Sequence, residues 1–117
     1  MLHLTAKDNG RELATGPHEE FVVALASNRS TGYRWKIALA SQGRLGAGLL
    51  SHRYIAPKKS VPGAAGKEIW RFRPVGSGRM DLGFLYVRPS QRHEPPAQDV
   101  DFTIYVAPLA TYRRGAP

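Results

Sequence analysis

The chain has 117 residues, no cysteine and a formal net charge of +8. That length makes one domain able to bury a core without staples, and the missing cysteines exclude a disulfide framework, a thiolate metal site and a cysteine nucleophile. The positive balance leaves nucleic acid, an anionic membrane or an acidic protein open as partners, but no apolar run approaches the roughly eighteen residues that span a bilayer.

The first residues, MLHLTAKDNGRELATG, have no basic segment followed by an apolar one, so no signal peptide is read there. The compartment stays open, periplasmic or secreted if a leader has been removed and cytoplasmic otherwise. LHLTA (2–6) and RELAT (11–15) read as weak edge strands. EEFVVALAS (19–27) puts Phe21, Val23 and Leu25 on one face and Val22, Ala24 and Ala26 on the other. YRWKIAL (33–39) alternates Tyr33, Trp35, Ile37 and Leu39 against Arg34, Lys36 and Ala38. ASQGRLGAGLL (40–50) has room for a helical turn, and its three glycines argue against more. HRYIA (52–56) is a third weak edge strand. KEIWRFRP (67–74) sets Trp70 and Phe72 opposite Ile69, Arg71 and Arg73. MDLGFLYV (80–87) gathers Met80, Leu82, Phe84 and Tyr86, and VDFTIYVA (100–107) gathers Val100, Phe102, Ile104 and Val106.

Period-two alternation in five segments is the mark of half-buried antiparallel strands. Turn chemistry separates them at DNG (8–10), PGAAG (62–66), PVGSG (74–78) and a Pro-rich stretch at 89–99. The expected architecture is all-β, an immunoglobulin-like antiparallel β-sandwich of seven or eight strands, with a small barrel as the second choice. Residues 1–107 form the sandwich domain, and 108–117 a basic, flexible tail.

Catalytic chemistry is not found. His3, His18, His52 and His93 are scattered, none in a nucleophile-elbow or zinc-helix setting. His93 and Glu94 read as solvated loop residues. Asp99 and Asp101 open a strand with no partner carboxylate placed by sequence. The glycines of PVGSG and LGAG lack the strand–loop–helix frame of a phosphate-binding loop. No enzyme, no metal and no cofactor is expected.

The stretch SNRSTGYRW (27–35) interrupts the alternation with small and polar residues and restarts it with two aromatics. Small side chains at Ser30, Thr31 and Gly32 make a slim crest. Gly32 takes a positive φ without strain, and Asn28 can bond backbone two residues on and stiffen the turn. A stiff loop loses little entropy on docking. Wound the immunoglobulin way, the sandwich brings the connections 28–32, 57–66 and 88–99 to one end.

N-R-S-T-G-Y (28–33), G-A-A-G (63–66) and R-P (88–89) resemble, in order and spacing, the three signature loops of the chagasin family. That family inhibits papain-like cysteine peptidases, and its pattern is N-P-T-T-G-[YF], G-x-G-G and R-P-[WF]. The similarity covers roughly residues 15 to 107. It implies a reversible, non-covalent inhibitor that occludes the peptidase cleft with three loops. Asn28, Arg29, Ser30, Thr31, Gly32 and Tyr33 would form the inserting loop, with Thr31 nearest the peptidase's catalytic centre. Gly63, Ala64, Ala65 and Gly66 would line the non-prime side, and Arg88, Pro89 and Ser90 the opposite wall. Three positions depart from the pattern. Arg29 replaces the proline and adds a charge at the tip, Ala65 replaces a glycine that would allow positive φ, and Ser90 stands where an aromatic anchor is expected.

The implied partner is a papain-like cysteine peptidase bound by a monomer, with no small-molecule substrate and no membrane. The alternative is a non-inhibitory immunoglobulin-like module that binds another protein through the same loops. Nucleic acid is disfavoured, because most aromatics lie on apolar faces rather than on an exposed stacking surface. Arg29, Lys58, Lys59, Lys67, Arg88 and Arg92 outnumber Glu68, Glu94 and Asp99 around the loops, which favours an acidic rim on the partner.

Overall fold

A computed structural model describes residues 1–38, 48–58 and 64–108. Among them are eight strands: β1 (Leu2–Leu4), β2 (Glu12–Thr15), β3 (Phe21–Ser27), β4 (Arg34–Ile37), β5 (Leu49–Ile55), β6 (Gly66–Phe72), β7 (Gly78–Val87) and β8 (Gln98–Val106). They form two four-stranded sheets, ordered β1-β3-β6-β5 and β2-β8-β7-β4. The three weak patterns are all edge strands, as expected, and β4 is the fourth edge. Most of the 40–50 segment and nearly all of the 108–117 tail lie outside the described residues.

The alternation read from sequence is the packing. Phe21, Val23 and Leu25 of β3, Trp70 and Phe72 of β6, and the four inward residues of both β7 and β8 are buried. Phe21 stacks on Phe72 at 5.1 Å within one sheet, and Trp70 meets Phe84 at 4.7 Å across to the other. Aromatic contacts of this kind add to the burial of apolar area that drives the sheets together.

One expectation is corrected. The sandwich is mixed rather than antiparallel throughout, because β1 runs parallel to β3 and β2 runs parallel to β8. The chain leaves the first sheet after β1, contributes β2 to the second, and returns as β3. Parallel neighbours need such a crossing connection, because a tight hairpin joins only antiparallel strands. A second difference is length. The strand expected at 52–56 begins at Leu49 and carries a bulge between Leu49 and Ser51, which leaves Leu50 exposed and masks the period-two pattern.

Strand register brings three connections to one end. β3 stops at Ser27 opposite Gly66, where β6 starts, and Ile55 at the end of β5 faces Lys67. In the other sheet Val87 at the end of β7 faces Arg34 at the start of β4, and Gln98 faces Tyr86. Residues 28–33, 56–58, 64–65 and 88–97 therefore lie at the same end of both sheets.

Candidate functional site

The first of these connections is a single 3-10 turn, Arg29–Thr31, held by its own side chains. Asn28 caps it. Its Oδ1 accepts from the Ser30 N–H at 3.2 Å and from the Ser30 hydroxyl at 2.6 Å. The Thr31 hydroxyl donates to the Asn28 carbonyl at 2.7 Å, and the Thr31 and Gly32 N–H groups close the turn onto Asn28 and Arg29. Gly32 ends it with φ 82, the left-handed conformation in which a Cβ is strained. Nothing crowds that position, so backbone conformation alone requires the glycine. The crest, Arg29 to Gly32, is exposed.

Below the crest the loop is fixed to both sheets. The Asn28 N–H donates to the Tyr86 hydroxyl at 3.0 Å, and the Trp35 indole N–H donates to the Ala26 carbonyl at 2.8 Å. Tyr33, Tyr86 and Trp35 stack in a row, with centroids 5.1 Å and 4.7 Å apart. The Arg34 guanidinium reaches the carbonyls of Tyr33 at 2.9 Å and Arg29 at 3.3 Å. Arg29, expected as a charge standing at the tip, lies over the Tyr54 ring of β5 at 4.2 Å. Such a cation–π contact is worth about 0.5–1 kcal/mol at an exposed site. It holds the Arg29 side chain against β5, beside the exposed Ser30 and Thr31.

Two carboxylates brace the loop, and sequence reading gave neither this part. Glu68, counted there among the acids around the loops, is buried, at 1% exposure. Its Oε2 accepts from the Ser27 hydroxyl at 2.9 Å and from the Trp35 N–H at 3.0 Å, one on each side of the loop. Its Oε1 faces His52 Nε2 at 3.0 Å, and the His52 ring stacks flat on Trp70. A buried carboxylate is tolerated only with partners of this kind. The signal was available: Glu68 shares the parity of Trp70 and Phe72 in β6.

Glu94, read as a solvated loop residue, is the second brace. It accepts from the Tyr33 hydroxyl at 2.9 Å and from Arg88 Nε at 3.0 Å, with a further contact to Arg88 Nη2. The guanidinium also lies 5.3 Å from the Tyr33 ring centre. The Arg88 hydrogen bond, then that of Tyr33, holds the Glu94 carboxyl below the usual glutamate range. Reciprocally, Glu94 raises the Tyr33 phenol and the Arg88 guanidinium, since ionising the one or deprotonating the other would break the knot. No sequence spacing announces this contact, which spans 61 positions between Tyr33 and Glu94.

The other expected residues fall around this loop. Ala64 and exposed Ala65 lead into Gly66, the first residue of β6, while Gly63 lies outside the described residues. Gly66 is required by space, because a Cβ there would sit 2.2 Å from the Ile55 carbonyl oxygen and 2.7 Å from the Tyr54 hydroxyl. Ala65 needs no positive φ; among described non-glycine residues His18 alone has one, at 59°. Arg88 is drawn inward to Glu94, and Pro89 and Ser90 form an exposed turn closed by the Gln91 N–H on the Arg88 carbonyl. Ala64–Gly66 and Arg88–Ser90 thus lie at the ends of the strands flanking the first loop, as shoulders beside its crest.

No curated protein sequence matches the chain closely enough to count as a relative. Solved structures share its fold, among them the following three. The cysteine protease inhibitor EhICP2 from Entamoeba histolytica is 20% identical with a TM-score of 0.75, over 91% of this chain and 94% of that one. Amebosin is 23% identical with a TM-score of 0.66, over 91% and 97%. PbICP-C, solved in complex with falcipain-2, is 17% identical with a TM-score of 0.52, over 92% and 98%. Residues 16–106 match the model of the chagasin family peptidase inhibitor I42. The chain belongs to the chagasin family of peptidase inhibitors.

Proposed function

We propose that this protein inhibits papain-like cysteine peptidases by inserting the Asn28–Gly32 crest into the active-site cleft, with Ala64–Gly66 and Arg88–Ser90 resting on the rims. Family membership supports inhibition rather than catalysis. The observation that carries the loop assignment is the pre-formed crest: a turn capped by Asn28, closed by Gly32 and tied to both sheets, with the small residues Ser30 and Thr31 exposed on it. A loop already fixed in its docking shape avoids the ordering entropy that weakens flexible binders. Small side chains let its backbone approach a cleft floor. Blocking the cleft suffices, so no bond is made or broken and no cofactor enters.

The shoulders widen the contact toward the roughly 800 Å² per partner of a standard interface. Ser90 offers less anchoring area than an aromatic would, which places more of the affinity on the crest. The test is inhibition of papain by the purified protein, expected to be competitive and reversible. Thr31→Trp enlarges the crest and is expected to raise the inhibition constant at least about 100-fold, equivalent to ~2.7 kcal/mol, with the thermal midpoint little changed. Full papain activity at high micromolar protein, repeated across several peptidases of the class, refutes the reading.

A further inference from the structure

The loop end uses neither outer face of the sandwich, and the two faces differ in charge. Outward positions of β2, β8, β7 and β4 carry Glu12, Asp81, Asp99 and Asp101 beside the cations Arg79 and Lys36. Outward positions of β1, β3, β6 and β5 carry no carboxylate; they hold His3, Lys67, Arg71 and Arg53. Glu20, just before β3, occupies Arg71 at 2.7 Å and Arg73 at 2.8 Å. Arg53 and Lys67 have no carboxylate partner among the described residues.

Between these cations the sheet carries an open hollow whose lining is shared by apolar and polar side chains, Ser51 and Arg71 among the latter. A depression of about 530 Å³ has Val22, Ala24 and Ile69 as its floor and His3, Arg53 and Lys67 on its rim. A second one continues it over Ala24 and Ala26, past Lys7, to Ala65 beside the loop end. Ile55, 41% exposed, stands at the β5 edge of the same face.

We propose that this face is a second binding surface and that its occupant is an acidic protein segment, with carboxylates on Arg53 and Lys67 and small aliphatic side chains on the alanine floor. Charge complementarity selects the sign: a cationic rim with no acid at the outward positions of its strands attracts carboxylates and repels basic chains. The floor selects the class. It has no Phe, Tyr or Trp on which a base could stack, so single-stranded nucleic acid gains only phosphate contacts here. Small aliphatic residues on a twisted sheet accept small aliphatic partners. This surface does not depend on the peptidase-inhibitor reading.

The experiment titrates a fluorescein-labelled peptide of alternating glutamate and alanine into the full chain at near-physiological salt and reads anisotropy. Two double variants of equal net charge are compared, Arg53→Glu with Lys67→Glu on the proposed face and Lys36→Glu with Arg79→Glu on the other, each checked for fold by circular dichroism. The proposal expects the first pair to weaken binding at least about tenfold and the second by less than about twofold. Ala24→Asp, which places a carboxylate in the floor without touching the rim, is expected to act like the first pair. Equal weakening by both pairs means attraction by net charge alone and overturns it. So does tighter binding of a labelled oligothymidine or of phosphatidylserine vesicles through the same residues. Self-association that the first pair abolishes assigns the face to a second copy and overturns it too, as does absence of binding by the wild-type chain.

Discussion

The root and the tip of the first loop are each held by a carboxylate, and the two do different work. At the root, Glu68 is buried and takes hydrogen bonds from β3, from β4 and from the His52 side of β5. At the tip side, Glu94 sits at the surface and ties Tyr33 to Arg88. Water can replace the partners of Glu94 but not those of Glu68, since an unpaired group costs its full desolvation only where water is excluded. Depth therefore divides the labour: the root sets whether the sandwich closes around the loop, and the tip sets how firmly the crest is aimed.

The largest expected effect is at the root. Glu68→Ala leaves the Trp35 N–H and the Ser27 hydroxyl buried without an acceptor and is expected to lower stability by about 3 kcal/mol in urea unfolding. Glu68→Gln sharpens the point, because one oxygen can still accept from Trp35 and Ser27 while the amide faces His52; its loss is expected to be well under half as large. Equal losses would mean that the charge, not the acceptor, holds the root.

Next is Gly66→Ala, which drives a Cβ into the Ile55 carbonyl at 2.2 Å. The β5–β6 pair must shift, at a cost of ~2 kcal/mol read as a lower unfolding midpoint. Gly32→Ala meets open space and only backbone strain, so its expected cost is smaller, ~1 kcal/mol. Its inhibition of papain is expected to fall more than its stability does. A crest glycine that behaved like Gly66 would break the division between root and tip.

The smallest effect on stability belongs to Glu94→Gln, whose consequence is a faster release from catalytically silenced papain. The same contact fixes a pH dependence. The folded Glu94 carboxyl titrates below its ordinary range, so the brace is fully present above that range and is lost as pH falls through the depressed value. Release from papain is expected to stay constant into mild acid and to quicken only below the usual glutamate range. In Glu94→Gln that step disappears. A step centred at or above the ordinary range would contradict the brace.

Much of this was legible in the chain itself. Alternation in 21–25, 70–72, 80–86 and 100–106 determined which side chains are buried, because a strand points successive residues to opposite faces wherever it lies. Asn28 and Gly32 determined the shape of the crest, because a cap and a left-handed residue act within a few positions of each other. Parallel pairing of β1 with β3 and of β2 with β8, the burial of Glu68 among Ser27, Trp35 and His52, and the Tyr33–Glu94–Arg88 knot were decided only in three dimensions. Each joins residues whose distance along the chain says nothing of their distance in space, and a carboxylate becomes a brace only once two sheets have closed around it.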